Sequence, residues 1–134
     1  MGNVVVVVGI VFLALAAAIH VFIFVLESIV WRRESTWRGF GVRSQADAEV
    51  AQPMAFNQGF YNFFLALGVS AGLVMLALPN LHQAGHAVAL FAAGSMVAAA
   101  LVLIISSPKL ARAAAIQGIA PLLGIVFLTI GLAV

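Results

Sequence analysis

The sequence predicts an all-α fold: a polytopic membrane protein built as a four-transmembrane-helix bundle. Three observations predict it. Hydrophobic residues make up 65% of the chain and charged residues only 7%, against about 25% charged in ordinary soluble domains. The mean hydropathy is +1.22. The apolar residues also fall into four blocks, each near the roughly 20 residues that a helix needs to cross a bilayer core of about 30 Å. A chain of 134 residues with this composition leaves almost nothing for a soluble core. A single transmembrane domain, 1–134, is expected.

The first span is read at 4–30. Its opening, MGNVVVVVGIVFLALAAAIHVF, lacks a basic start and a small-residue cleavage site, and its apolar run is too long for a secretory leader. Gly2 is followed at position 6 by Val6 rather than Ser or Thr, so a myristoylation reading fails. Residues 31–53 are read as an interfacial loop. Trp31 and Trp37 stand there beside arginines, a pairing suited to the headgroup region. Ser44, with Asp47 three residues on, has the spacing of a capping box and predicts a short helix leading into the second span.

That second span is read at 54–78, stopped by Pro79-Asn80. The third runs 87–105, stopped by Ser106-Ser107-Pro108, and the fourth runs 113–134. Gly68 and Gly72 form a G-x-x-x-G pattern, and FAAGSMVAAAL in the third span is rich in small residues. Both permit close helix approach, expected here inside the bundle.

Orientation follows from the basic residues. Arg32, Arg33, Arg38 and Arg43 lie after the first span, and Lys109 and Arg112 after the third, which accounts for all six. These two loops share one side and are expected in the cytoplasm of a bacterial inner membrane, with both termini outside. The pI of 10.0 rests on so few cations that it does not indicate nucleic-acid binding. Cysteine is absent, which excludes disulfides, thiolate metal sites and cysteine catalysis.

The polar residues inside the spans converge in depth. At about 1.5 Å per residue, Glu27 lies about 6 Å inside the boundary marked by Trp31. Asn57, Gln58, Tyr61 and Asn62 open the second span from that same side, and Gln117 opens the fourth. Ser106 and Ser107 close the third there. His20 stands seven residues before Glu27, two turns deeper on the same face of a regular helix, a face that also carries Phe24 and Trp31. Two turns separate the pair, so a proton passes between His20 and Glu27 only through water or an amide. Intramembrane amides often serve as interhelical glue worth about 0.6 kcal/mol. An ionisable residue among several amides also describes a pocket or pathway, with Phe24 and Trp31 at its rim. His82 and His86 have a metal-ligand spacing, but no third ligand stands near them in the sequence, so solvated loop histidines are expected.

The segments HVFIFVLESIVW (20–31), WRGFG (37–41), NQGFYNFFLA (57–66) and IQGIAPLLG (116–124) together resemble the small four-span bacterial membrane proteins grouped as domain of unknown function 1304. The resemblance implies the four-span fold and picks out His20, Glu27, Trp31, Asn57, Gln58, Gly59, Tyr61, Asn62, Gln117 and Gly118. It implies no activity. Two departures stand out: members usually carry glycine where Phe63 stands, and a proline closer to the Gln-Gly pair than Pro121.

Three functional classes are therefore expected to compete. The first is a binder or carrier of a small molecule or lipid, with Glu27 as its charged group and proton coupling through His20. The second is an accessory subunit whose polar cluster is structural, meeting a membrane-protein partner or a second copy of itself. The third is a membrane isomerase acting on a lipid or isoprenoid, which lacks a recognisable nucleophile, metal motif or cofactor segment. Membrane lipids are the expected partners, no cofactor is implied, and the enzyme reading is the least favoured.

Overall fold

The computed structural model describes residues 2–133, so Val134, the expected end of the fourth span, lies outside the described residues. The helices are α1 Gly2–Phe24, α2 Glu34–Gly39, α3 Gln45–Leu76, α4 His82–Ser106 and α5 Ala111–Ala133. One π-helical turn, Val25–Ile29, extends α1, and single 3-10 turns at Pro79–Leu81 and Pro108–Leu110 join α3 to α4 and α4 to α5. Among the described residues there is no strand. Four stretches are long and apolar enough to cross a membrane: Asn3–Ile29, Gln45–Leu76, Pro79–Ser106 and Pro108–Gly131. The chain is a multi-pass membrane protein with an all-α, four-span bundle fold.

The four long helices form a ring in which α1 touches α3 and α5, and α4 touches α3 and α5. Neighbours run antiparallel, because the start of α1 meets the end of α5 and the end of α3 meets the start of α4. The start of α1 and the end of α5 lie at one end of the bundle, the terminal end. The opposite, basic end carries α2, the α4–α5 turn and every arginine and lysine.

The terminal half is packed backbone against backbone. A Cβ placed on Gly9 would stand 2.5 Å from the Leu128 nitrogen, and one on Gly131 2.6 Å from the Val6 nitrogen, which closes α1 on α5. A Cβ on Gly72 would stand 2.5 Å from the Ala89 nitrogen, and one on Gly85 2.5 Å from the Leu76 nitrogen, which closes α3 on α4. Gly68 and Gly72 thus pack inside the bundle, as the sequence predicts. Lipid is as apolar as a leucine side chain, so such close van der Waals packing, not exclusion of water, holds membrane helices together. Leu13, Val69, Met96 and Leu128, all fully buried, fill the centre.

The basic half differs. Helix α3 begins at Gln45, ahead of the 54 expected, and runs 32 residues. At about 1.5 Å per residue it is about 48 Å long and overhangs a hydrocarbon core of about 30 Å. Ser44 caps it, its Oγ accepting from the Asp47 N–H at 3.1 Å and donating to Asp47 Oδ2 at 2.6 Å. Pro53 removes the donor for the Glu49 carbonyl without ending the helix, because Glu49 is exposed and water can reach that turn. The overhang packs on Trp31 and Trp37 through Ala48 and Ala55. The Trp31 indole N–H donates to the Ala48 carbonyl at 2.9 Å. Trp31→Phe keeps the ring and loses the donor; it should cost about 1 kcal/mol, read as a lower thermal midpoint in detergent at unchanged helix content. An unchanged midpoint would show that the bond contributes nothing.

Candidate functional site

The site begins with a break in α-helical geometry. Through Val25–Ile29 the Val30 N–H reaches back to the Val25 carbonyl at 3.0 Å, an i to i+5 bond. Single π-turns of this kind widen a helix and are frequent at functional sites. Glu27 sits at the centre of this one and is only 7% exposed.

FNQGFYNFF supplies what surrounds it. Gly59 lies against α1, where a Cβ would collide with the Ser28 hydroxyl and stand 3.1 Å from the Glu27 Cβ. That absence of a side chain lets Ser28 donate to the Phe56 carbonyl at 2.8 Å. Phe60 and Phe63 pack around Phe24 with ring centroids 5.1 and 4.9 Å away. Phe63 is thus accommodated against Phe24, the two rings tilted by 31°. Between these contacts the Asn62 amide donates both hydrogens, to Glu27 Oε2 at 2.9 Å and to the Gln58 carbonyl at 3.1 Å. Both acceptors are oxygens, which places the NH2 of Asn62 toward them. Gly59→Ala should push α1 off α3 and break the Ser28 bond. The expected result is a thermal midpoint lowered by an overpacking penalty of about 1–3 kcal/mol; a midpoint at or above wild type would show that the seam has slack.

On the inner side of this pair lies a cavity of about 740 Å³ in the basic half of the bundle. Glu27 and Leu26 of the π-turn, Gln58, Tyr61 and Asn62 of α3, and Gln117 of α5 line it. Helix α4 contributes an apolar wall, Ala99, Val102 and Leu103, that ends in Ser106. Ser35, Thr36 and Phe40 of the α2 segment lie across its basic end. The cavity is possible because the tight glycine contacts between α1 and α5, and between α3 and α4, all fall in the terminal half.

Not every residue singled out in the sequence reaches this cavity. His20 is 1% exposed and does not line it; its Nδ1 bonds the Ala16 carbonyl of its own helix at 2.9 Å. Asn57 is exposed and lies outside the lining. Phe24 and Trp31 are not at the rim: Phe24 packs into the α1–α3 seam and Trp31 into the core beneath α2. The π-turn explains the differences at His20, Phe24 and Trp31, since the wider turn changes the face on which later residues fall relative to earlier ones. His82 and His86 stand at the start of α4, at the terminal end, and no group of three metal-ligating side chains forms among the described residues.

The sequence reading missed the α2 residues and one backbone feature. Thr36 and Phe40 are four apart, a spacing that puts both on one helix face. Pro121, fully buried in α5, deprives the Gln117 carbonyl of its usual helical donor. The carbonyl that loses this bond belongs to a residue that lines the cavity.

Comparison with curated proteins and with solved structures returned no match. The family model described as protein of unknown function DUF1304 matches residues 14–129, a range that holds every residue of the cavity wall. That range covers most of the chain, and the protein belongs to the DUF1304 family.

Proposed function

We propose that the cavity binds one amphiphilic small molecule or lipid, with Glu27 and Asn62 holding its polar head and the apolar walls its body. The observation that carries this reading is a buried carboxylate–amide pair facing a cavity of about 740 Å³, within the range of about 300–1,000 Å³ usual for ligand pockets. Interhelical glue needs only the Asn62–Glu27 bond. The side chains of Gln58, Tyr61 and Gln117 also face the cavity, yet none of them bonds another described residue. Three polar side chains without a bonded partner, in a wall that is mostly apolar, suit a ligand head better than they suit helix packing.

In this reading the basic end is cytoplasmic and both termini are outside, in a bacterial inner membrane, so the head lies in the inner-leaflet third. Native mass spectrometry of gently extracted protein tests the reading. A discrete small-molecule or single-lipid mass is expected on wild type, and it is expected to disappear in Asn62→Leu and in Gln117→Leu. A bare protomer, or a bound mass indifferent to both changes, would contradict it. A stoichiometric protein partner instead would make the cluster a structural feature of an accessory subunit.

A further inference from the structure

The charges around Glu27 narrow the chemistry of what fits beside it. Among the described residues Glu27 is the only carboxylate that lines the cavity, and no Lys, Arg or His joins it there. From α3 it faces Gln58, Tyr61 and Asn62; from α5, Gln117; from α4, only Ser106 among polar residues; from the α2 segment, Ser35 and Thr36. Tyr61 is the one other titratable group in the wall. The nearby cations are turned elsewhere. Arg38 pairs with Glu34 at 2.7 Å and lies over the Trp37 ring, and Arg32, Arg33, Arg43, Lys109 and Arg112 are exposed and outside the lining.

An ionised carboxylate so placed has no counter-charge in the protein, and a neutral amide cannot supply one. Leaving a buried charge unpaired is strongly unfavourable. Two species can neutralise it: a proton, or a cation that enters the cavity. An anion would meet the carboxylate's repulsion. Mg²⁺ and Ca²⁺ prefer six or more oxygen ligands, zinc needs a cluster of His, Cys or carboxylate ligands, and one carboxylate among neutral amides offers either little. A monovalent organic cation with an apolar body matches the site on every count, and Phe22, Phe40 and Tyr61 place in the wall the aromatic rings that attract such cations.

Resting on the binding reading above, we propose that the bound molecule is a lipophilic monovalent cation, such as an amine or quaternary onium, that pairs with Glu27 in place of a proton. On binding, the carboxyl O–H proton passes to water at the basic end and the cation takes its position, so the net charge of the cavity is the same before and after. Binding therefore tightens as pH rises through the titration of Glu27 and weakens as pH falls below it.

Three probes in nanodiscs test this. They are tetraphenylphosphonium, its negatively charged isostere tetraphenylborate, and the neutral N-phenyl-1-naphthylamine. The phosphonium is expected to bind one per protomer, to displace the neutral probe, and to release a proton in calorimetry run in buffers of different protonation enthalpy. Glu27→Gln is expected to weaken it by about ten- to a hundred-fold, the loss of its counter-charge, and by more than it weakens the neutral probe. Glu27→Asp, which keeps the charge, should retain part of the affinity. Neutral-probe binding with no phosphonium binding, or phosphonium binding indifferent to Glu27→Gln, would overturn the charge inference and leave the binding site standing. Borate binding as tight as phosphonium would do the same. If no probe binds, both readings fail.

Discussion

Gly72→Val is expected to destabilise the bundle more than either Gly59→Ala or Trp31→Phe. Even a Cβ at Gly72 would stand 2.5 Å from the nitrogen of Ala89 and 2.7 Å from its Cα. These are backbone atoms of α4 and cannot swing aside, so the helices must separate. The same crossing includes Gly85, whose Cβ would meet the Gly72 carbonyl at 2.8 Å, and separation would therefore loosen both contacts together. Overpacking of this kind destabilises by about 1–3 kcal/mol and sometimes more, and valine adds two methyl groups beyond the Cβ. The control is Gly94→Ala, at a helical glycine with nothing within 4 Å of the added carbon, where the exchange should be neutral or stabilising by up to about 1 kcal/mol. Thermal unfolding in detergent, followed by circular dichroism, reads both. Equal midpoints for the two variants would mean that the α3–α4 crossing is not close-packed.

The second large effect is at Asn62. Asn62→Leu removes the donor to Glu27 Oε2 and leaves an acidic group, 7% exposed, against an apolar side chain. The expected destabilisation is about 1–3 kcal/mol, the penalty for a buried polar group deprived of its partner. The double variant Glu27→Met/Asn62→Leu removes both halves of the pair. Because apolar residues of similar volume can replace a buried polar pair at little loss, its thermal midpoint should return close to wild type while the cavity ligand stays lost. That split separates binding from glue. If the double variant is as unstable as the single, the pair holds the fold by more than mutual satisfaction, and the structural reading gains.

Much of this arrangement is legible in the residues, for definite reasons. The four spans follow from hydropathy, because hydrocarbon demands about 20 apolar residues per crossing and the loops between them are too short to hide a domain. Depth counting brings Glu27, Gln58, Asn62 and Gln117 to one level, since rise per residue is nearly constant in a helix. Azimuth is harder to read than depth. The π-turn at Val25–Ile29 shifts the helical phase, so His20, Phe24 and Trp31, assigned to the Glu27 face, end up elsewhere. Nothing in VLESI announces that turn. The true start of α3 is hidden because Pro53 and the charged stretch before it look like a loop, yet the helix passes through to Gln45. The α2 segment over the cavity is a tertiary fact: Thr36 and Phe40 share a cavity wall with Gln117 only because the antiparallel ring brings the two basic-end connections together.

The central claim is that the basic half of the bundle is hollow and holds a ligand while the terminal half is sealed. The chain has no cysteine, so a single introduced thiol reports one position cleanly. Ala99→Cys puts it in the cavity wall, and Ala93→Cys puts it in the fully buried core. In membrane vesicles whose basic face is open to the medium, a small charged methanethiosulfonate should modify Ala99→Cys quickly and Ala93→Cys hardly at all. Saturating N-phenyl-1-naphthylamine should protect the first. If Ala99→Cys proves as unreactive as Ala93→Cys, the helices close on each other along their whole length and the cavity is not a binding site.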